Sequence, residues 1–219
     1  MVQKRKKAPA PEAETVTPKR RGRPRAYKPD VAIGQALNLF RKGGFAATSL
    51  DDLSAATGMN RPSLYGAFGD KRELYIKSYQ RYRDDFRAAM RDVFKETLPI
   101  RKRLQKIYAV AIDIYLSGEA GPRGCFTVLT AASEAVADPE ICALVVEGLA
   151  ELDRAFASAF RRAIDNGELP ASASPEMLAQ IASAAMHSIA IRARARVPRK
   201  KLEAIVKGAI LVMCEATAS

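Results

Sequence analysis

The sequence has little of what several common protein classes require. Its 219 residues include three cysteines, one histidine and no tryptophan. The cysteines, Cys125, Cys142 and Cys214, are odd in number and far apart, which argues against a disulfide framework and a zinc knuckle. No apolar run reaches the roughly 18 to 20 residues of a membrane span, and the basic start leads into a polar segment unlike a signal peptide. We therefore expect a soluble, cytoplasmic protein with reduced thiols, no membrane contact and no metal site.

Residues that could form a catalytic centre are also scarce. With one histidine and no clustered Ser, Cys or acidic partners, a catalytic centre would have to rest on Cys125 and His187 alone. We predict no enzyme activity, no catalytic residues and no cofactor. His187 lies among Ala, Met and Ile, so it is interpreted as a core or interface residue, with ligand binding as the lesser alternative.

Positive charge is abundant but unevenly placed. Of 36 Lys and Arg and 24 Asp and Glu residues, ten basic and two acidic ones lie within 1–28, which leaves 26 basic and 22 acidic ones for the rest. The segment 1–28 lacks apolar periodicity, so burial cannot offset the entropy lost on ordering it. We predict a disordered basic arm over 1–28 whose partner is a polyanion.

Beyond the arm, the apolar residues recur at helical spacing, with almost no strand pattern. Capping residues, Gly breaks and Pro at first helical positions mark the helix ends. The predicted fold class is therefore all-α. The predicted helices are 29–42, a segment between a cap at Thr48 or Ser49 and the break at Gly58, a short helix capped by Asn60, a long helix from Asp70 to about 96, then 100–117, 124–137, 139–166, one opened by Ser174-Pro175 and one after Pro198.

Three residues have the spacing of a helix-turn-helix unit: Ser54, then Gly58 four positions later and Leu64 six beyond that. Two helices that cross steeply need a small residue at their contact, a glycine in the turn and an apolar anchor on the second helix. The stretch 21–75 resembles the amino-terminal DNA-binding domain of TetR/AcrR-type transcriptional regulators. The matching residues are Phe40, Gly43-Gly44-Phe45, Ala47-Thr48-Ser49, Asp52-Leu53, Ala56-Thr57-Gly58, Ser63-Leu64-Tyr65, and Phe68 through Lys71 to Leu74.

The resemblance implies a three-helix, helix-turn-helix DNA-binding domain over 29–82, joined by the long helix to a larger helical effector-binding and dimerisation domain over 83–219. It implies a sequence-specific transcriptional regulator, a repressor whose operator affinity falls when a small-molecule inducer binds. The alternative is a nucleoid-type protein that binds A·T-rich DNA without an inducer. Sequence selectivity and ligand response distinguish the two.

The second helix of the helix-turn-helix unit carries polar side chains near its start, where a helix that enters the major groove needs them. Arginine can fork onto guanine, and hydroxyl groups can meet phosphate. Arg61 therefore has two open roles, as a base reader or as a phosphate clamp. The resemblance implies operator contacts from Asn60, Arg61, Ser63 and Tyr65, with phosphate contacts from Thr48 and Lys71.

The basic arm contains Arg21-Gly22-Arg23-Pro24-Arg25, which resembles the Arg-Gly-Arg-Pro core of an AT-hook. Glycine permits close approach to the groove floor, and Arg21, Arg23 and Arg25 suit the negative potential of a narrow A·T-rich minor groove. Because the motif directly precedes the helix-turn-helix unit, minor-groove insertion is favoured. The alternative is a solvated tail that adds non-specific, salt-sensitive attraction. A nuclear localisation signal would look similar, but the adjoining domain argues against it.

The last two predicted helices are rich in small and aliphatic residues. One chain has nothing left to cover so wide an apolar surface, and the resemblance implies that these helices pair with a second subunit as a four-helix bundle. A two-fold homodimer also matches a palindromic operator.

The resemblance places the inducer pocket between the predicted helices 100–117, 124–137 and 139–166. The candidate lining residues are Tyr108, Tyr115, Cys125 and Phe126, although an aromatic residue at helical spacing is more often core. Cys125 follows a Gly-Pro break near free N–H groups, which makes it a candidate electrophile or oxidant sensor. Cysteine is also a good small buried residue, so a plain packing role stays open.

Overall fold

The computed structural model describes residues 28–118 and 121–215. Within these ranges the chain is helical and has no strand, so the predicted all-α class is confirmed. The predicted contacts from Arg21, Arg23 and Arg25 lie outside the described residues. The helices are α1 (Pro29–Gly43), α2 (Leu50–Thr57), α3 (Arg61–Phe68), α4 (Lys71–Lys95), α5 (Ile100–Leu116), α6 (Phe126–Ala131), a 3-10 turn (Glu134–Val136), α7 (Pro139–Asp165), α8 (Pro175–Arg194) and α9 (Arg199–Glu215).

Side-chain caps start α2, α3 and α4 where the sequence predicts them. Ser49 Oγ accepts the Asp52 N–H at 3.0 Å while the Asp52 carboxylate accepts the Ser49 N–H at 2.9 Å, which is a complete capping box. Asn60 and Asp70 cap α3 and α4 in the same way, each accepting the N–H three residues later. Such caps satisfy backbone donors that a helix start leaves without partners.

The prediction of one continuous helix over 124–137 is wrong. The chain forms α6, which ends at Ala131, and resumes only as the 3-10 turn from Glu134. Ser133 adopts φ −128° and ψ −89°, outside the helical region, and its hydroxyl donates to the Leu129 carbonyl at 2.8 Å. Serine side chains that bond nearby carbonyls compete with the helix ladder, so the apolar periodicity overstates the helix here.

The helices divide into two groups that share α4. α1, α2 and α3, here called the head, pack on the amino-terminal part of α4 around buried Phe40, Leu53 and Tyr75. α5 to α9, here called the body, pack around one another, and α5, α6 and α7 also pack against α4. The domain boundary predicted at 82/83 lies inside α4, so α4 contributes to both groups.

Two kinds of feature are missing from the part of the chain that the structure describes. None of the helices there combines the length and the apolarity that crossing a membrane requires. The same residues contain no cluster of His, Cys, Asp and Glu that could hold a metal ion.

Candidate nucleic-acid interface and internal cavity

α2 and α3 form a helix-turn-helix unit whose inner face is apolar. Leu53, Leu64 and Phe68 are at most 4% exposed. Gly58 ends α2 with φ 64°, a left-handed conformation that glycine adopts without steric cost. Because one side of α3 is anchored in this way, its other side faces solvent.

The structure brings the four predicted α3 residues together on that outer side. Asn60, Arg61, Ser63 and Tyr65 are all exposed. The Tyr65 ring is 47% exposed although it is a large aromatic group. Donors and a ring at the amino end of an exposed helix are what major-groove reading requires. Their individual DNA contacts stay predictions.

Arg61 has a partner that the sequence did not suggest. Its Nε and Nη2 donate to Asp51 Oδ1 at 3.1 and 2.7 Å, and Nη2 also reaches Oδ2 at 2.8 Å. Asp51 lies in the first turn of α2, ten positions away, a spacing that carries no helical signal. The Arg61 guanidinium, which would donate to guanine or phosphate, is therefore bound to α2 in this conformation. To bind Arg61, DNA would have to displace the Asp51 carboxylate or bind donors that it leaves free.

The two predicted phosphate contacts differ in their surroundings. Thr48 is 3% exposed, and its hydroxyl donates to the Gly44 carbonyl at 2.7 Å. Lys71 is half-buried at the start of α4 with its Nζ 4.3 Å from the centre of the Phe45 ring. Among the described residues no carboxylate comes within ion-pair distance of Lys71. Lys71 is thus the better placed of the two to meet a phosphate.

A cavity of about 380 Å³ lies in the body against α4. Two of the four residues predicted to bind a ligand, Tyr115 and Cys125, line it, and α7 forms one side; their contact with a ligand stays a prediction. The longest wall is α4, which the sequence interpretation did not include, and α8 adds His187. The lining residues are Tyr82, Arg83, Phe86, Arg87, Met90, Arg91, Phe94, Lys95, Tyr115, Cys125, Thr127, Gly148, Leu149, Glu151, Leu152, Ala155 and His187.

The other two predicted lining residues lie in the core. Tyr108 is fully buried and its hydroxyl donates to the Ala182 carbonyl at 2.9 Å. The Phe126 ring packs edge-on against Tyr75 and Tyr82, with centroids 5.3 and 5.8 Å apart. Neither is among the residues that line the cavity. The ring of Phe126 supports the cavity wall from behind.

Three of the polar residues that line the cavity, Tyr82, Tyr115 and His187, are uncharged at neutral pH. Burial raises the pKa values of the Tyr82 and Tyr115 hydroxyls well above the ordinary value. The Tyr82 hydroxyl donates to Cys125 Sγ at 3.4 Å. Burial also lowers the pKa of His187, so its imidazole is neutral at pH 7. The deep part of the cavity therefore suits an apolar group.

One buried arginine joins the head to the cavity wall. Arg41, at the end of α1, is 8% exposed, and its Nη2 donates to the Gly124 carbonyl at 3.1 Å. Its guanidinium carbon lies 5.2 Å from the centre of the Tyr82 ring. Gly124 precedes Cys125, and both Tyr82 and Cys125 line the cavity. Arg41 thus contacts the outer side of the wall whose inner side would meet a ligand.

Further contacts tie the same junction to α8. Arg194 Nη1 donates to the carbonyls of Arg41 and Arg123 at 2.9 and 3.1 Å. Arg123 in turn donates to Asn38 Oδ1 in α1 at 2.6 Å. The end of α1 therefore cannot shift without disturbing the segment before α6 and the end of α8.

Comparison with known proteins accounts for both groups of helices. Residues 32–77 match the family described as "Bacterial regulatory proteins, tetR family", and residues 101–209 match "Tetracyclin repressor-like, C-terminal domain". The HTH-type transcriptional repressor ComR of Escherichia coli K12 is 29% identical over 185 residues, which cover 84% of this chain and 88% of ComR. The HTH-type transcriptional repressor BdcR of the same organism is 33% identical over 107 residues, 49% of this chain and 54% of BdcR.

A solved structure is similar over nearly its whole length. It is a cysteine mutant of the TetR family transcriptional regulator CifR in complex with 26-base-pair operator DNA. It is 31% identical in sequence, has a TM-score of 0.77, and covers 86% of this chain and 98% of its own. These relatives are transcriptional regulators, so the comparisons do not support the nucleoid-type alternative.

Proposed function

The chain belongs to the TetR family of bacterial regulatory proteins, which are DNA-binding transcriptional regulators, and from that premise we propose that it is a ligand-released repressor. In this proposal it binds a palindromic operator as a homodimer and leaves it when a small molecule enters the cavity. The observation that carries the proposal is the double role of α4, which supports the head at one end and lines the cavity along the rest of its length.

Double-stranded operator DNA is the proposed partner of the exposed side of α3. The similar CifR chain was solved with operator DNA. In this chain, Arg61 and Tyr65 are exposed on the outer side of α3, and Lys71 lies at the start of α4. Because phosphate contacts fix position and base contacts fix sequence, Lys71 is assigned the first task and Arg61 the second.

Homodimerisation is proposed through α8 and α9. Both helices expose apolar side chains that the described part of the chain leaves uncovered: Met177, Ile181 and Ile191 on α8, and Leu211 and Val212 on α9, are between 41% and 65% exposed. A second copy related by a two-fold axis would bury the same residues on both subunits. It would also present two copies of α3 to successive major grooves.

The proposed route from ligand to operator runs through Arg41. A molecule in the cavity presses on Tyr82 and Cys125, and these residues bound the site where Arg41 contacts the Gly124 carbonyl. A shift there displaces the end of α1 and with it the head. The ligand then favours the dimer whose two α3 helices no longer match the operator, a population shift between two arrangements.

No enzymatic role is part of the proposal. Cys125 and His187 both line the cavity, but the Cys125 Sγ accepts from the Tyr82 hydroxyl and is not hydrogen-bonded to the His187 imidazole as a nucleophile–base pair would require. Turnover of an ester or thiol substrate that disappears in Cys125→Ala would contradict this assignment.

The test begins with selection of random duplex DNA by the purified full-length protein at near-physiological salt, followed by sequencing of the bound pool. The proposal expects an enriched inverted repeat with two half-sites. A·T-rich DNA without dyad symmetry would contradict it. The enriched duplex then serves as the probe for compounds that release it, and release without loss of the dimer completes the test.

A further inference from the structure

A row of four cations follows the cavity along α4. Arg83, Arg87, Arg91 and Lys95 are spaced four residues apart, so they lie on one face of the helix. All four line the cavity. Glu151 is the one acidic residue in the lining. The described cavity wall thus carries four cations against a single carboxylate.

The first two cations already have partners. Arg83 donates to Glu147 and Glu151 at 2.9 and 3.0 Å, and its side chain is only 10% exposed. Arg87 pairs with Glu151 at 2.7 Å and with Asp84 at 2.8 Å. Carboxylates on α4 and α7 therefore neutralise this end of the row.

The last two cations do not have such partners. Within the described residues, no carboxylate approaches Arg91 or Lys95 to within 4.0 Å. Both residues are exposed, so their charged groups are accessible to a ligand head group. Cations four residues apart on a helix repel one another, and an anion placed between them would remove that repulsion.

The wall next to these two cations is apolar. Phe86, Met90 and Phe94 from α4 line the cavity together with Leu149 and Leu152 from α7. A cavity of this size is within the range that small-molecule ligands occupy. The cavity therefore has unpaired cations at one end of its α4 wall beside apolar side chains, and this arrangement is the complement of a molecule with an anionic head and an apolar body.

We propose that the effector is an amphipathic anion, a carboxylate or phosphate monoester with an apolar body, whose head group binds Arg91 and Lys95. This inference rests on the proposed function, because it assigns the ligand class of the same cavity. Charge-assisted hydrogen bonds to the two cations hold the anionic group of the ligand. Burial of the ligand's apolar body among Phe86, Met90 and Leu152 supplies the apolar part of the affinity.

The experiment compares probes that share one ten-carbon chain and differ in the head group. Decanoate and decyl phosphate are titrated into the full-length dimer by calorimetry, below their micelle-forming concentrations, alongside decanol and decyltrimethylammonium. At least one anion should bind about tenfold more tightly than both the alcohol and the cation, and its affinity should fall with added salt. Equal binding of all four probes, a preference for the cation, or no binding of any probe would overturn the inference.

A pair of matched variants locates the head group. In Arg91→Gln/Lys95→Gln the affinity for the anion should fall about tenfold or more, while decanol binding stays the same. The control, Lys102→Gln/Arg154→Gln, removes one Lys and one Arg from exposed positions outside the cavity lining and should bind the anion like the wild type. An equal loss in both variants would reject Arg91 and Lys95 as the head-group site. Thermal melts of both variants verify that each is folded.

Operator release is measured separately in the same samples. If an anion binds with the expected head-group preference but the operator stays bound, the ligand class holds and the proposed release is wrong. If another compound releases the operator while no anion is preferred, the release holds and the ligand class is wrong.

Discussion

Gly58 in the head and Gly124 in the body have the same left-handed φ of 64°, but they need glycine for different reasons. A Cβ added at Gly58 would meet no heavy atom within 4 Å. A Cβ added at Gly124 would lie 2.8 Å from the Ala190 carbonyl oxygen and 3.0 Å from the Arg194 Cβ. The turn in the head thus depends on backbone conformation alone, whereas the body brings α8 into close contact with the segment that carries Cys125.

This difference indicates how each region tolerates change. The helix-turn-helix unit is built from contacts between residues close in sequence and leaves its outer side open for DNA. The junction beside Gly124 joins α1, α4 and α8 around the buried Arg41 guanidinium, and on its α8 side the backbone of Gly124 has no space for an added side chain. We expect changes in the head to alter DNA binding and changes at the junction to alter stability and coupling.

The largest effect is expected for Gly124→Ala. Left-handed backbone costs an L-residue about 1 to 2 kcal/mol, and overpacking against α8 adds roughly 1 to 3 kcal/mol. Gly58→Ala is the matched control, because Gly58 has the same φ but an added Cβ there would meet open space. The free energy of unfolding, from urea denaturation at one protein concentration, should drop clearly more for Gly124→Ala. Equal losses would mean that the close approach to Ala190 has no energetic weight.

The next effect is expected for Arg41→Met, which keeps the length of the side chain but removes its donors. The Gly124 carbonyl then loses a charged hydrogen-bond partner, and the expected cost is about 1.5 to 3 kcal/mol. Amide hydrogen exchange should become faster both at the end of α1 and in the segment around Gly124. Lys42→Met, at the exposed neighbouring position, should change neither. Faster exchange at the end of α1 alone would show that Arg41 does not link the two regions.

A smaller effect, confined to sequence preference, is expected for Arg61→Ala. If Arg61 reads a base, its loss costs about 1 to 3 kcal/mol at one operator position and leaves discrimination at the others unchanged. Lys71→Ala is the contrasting variant, because loss of a phosphate contact should weaken all sequences alike and lower the salt slope by about one. Binding measured on single-base operator variants separates the two. If Arg61→Ala weakens every duplex equally, Arg61 is a phosphate clamp.

The head could be predicted from the sequence more fully than the body. Caps at Ser49, Asn60 and Asp70 and the glycine turn act over three to six residues, so their spacing is visible in the sequence. Asp51 was missed because its pairing with Arg61 depends on how α2 and α3 cross. Such a contact has no local pattern.

The cavity shows the same limit on a larger scale. Tyr115 and Cys125 were expected at its wall, but the predicted pocket helices did not include the long helix that became α4. Whether such a side packs solidly or borders a space depends on α5, α7 and α8 together. The sequence does not show which arginines of α4 are neutralised. Glu147 and Glu151, which pair with Arg83 and Arg87, lie more than 60 residues later in the chain.

The smallest expected effect is a pH dependence that belongs to the body alone, since the chain has a single histidine and it lines the cavity. Burial lowers the pKa of His187 from its usual 6.5, against a smaller opposing effect of Asp153. Below pH 6.5 the imidazole of His187 is therefore protonated more readily in the unfolded chain than in the folded chain. The free energy of unfolding falls as the pH decreases from 6.5 through the folded-state pKa. The free energy of unfolding of the wild type should fall relative to that of His187→Gln between pH 6.5 and 5. Above pH 7.5 the difference between the two unfolding free energies should be constant. A difference in the unfolding free energies that does not vary with pH would mean that the imidazole is solvated, and the apolar interior assigned to the cavity would then be wrong at α8.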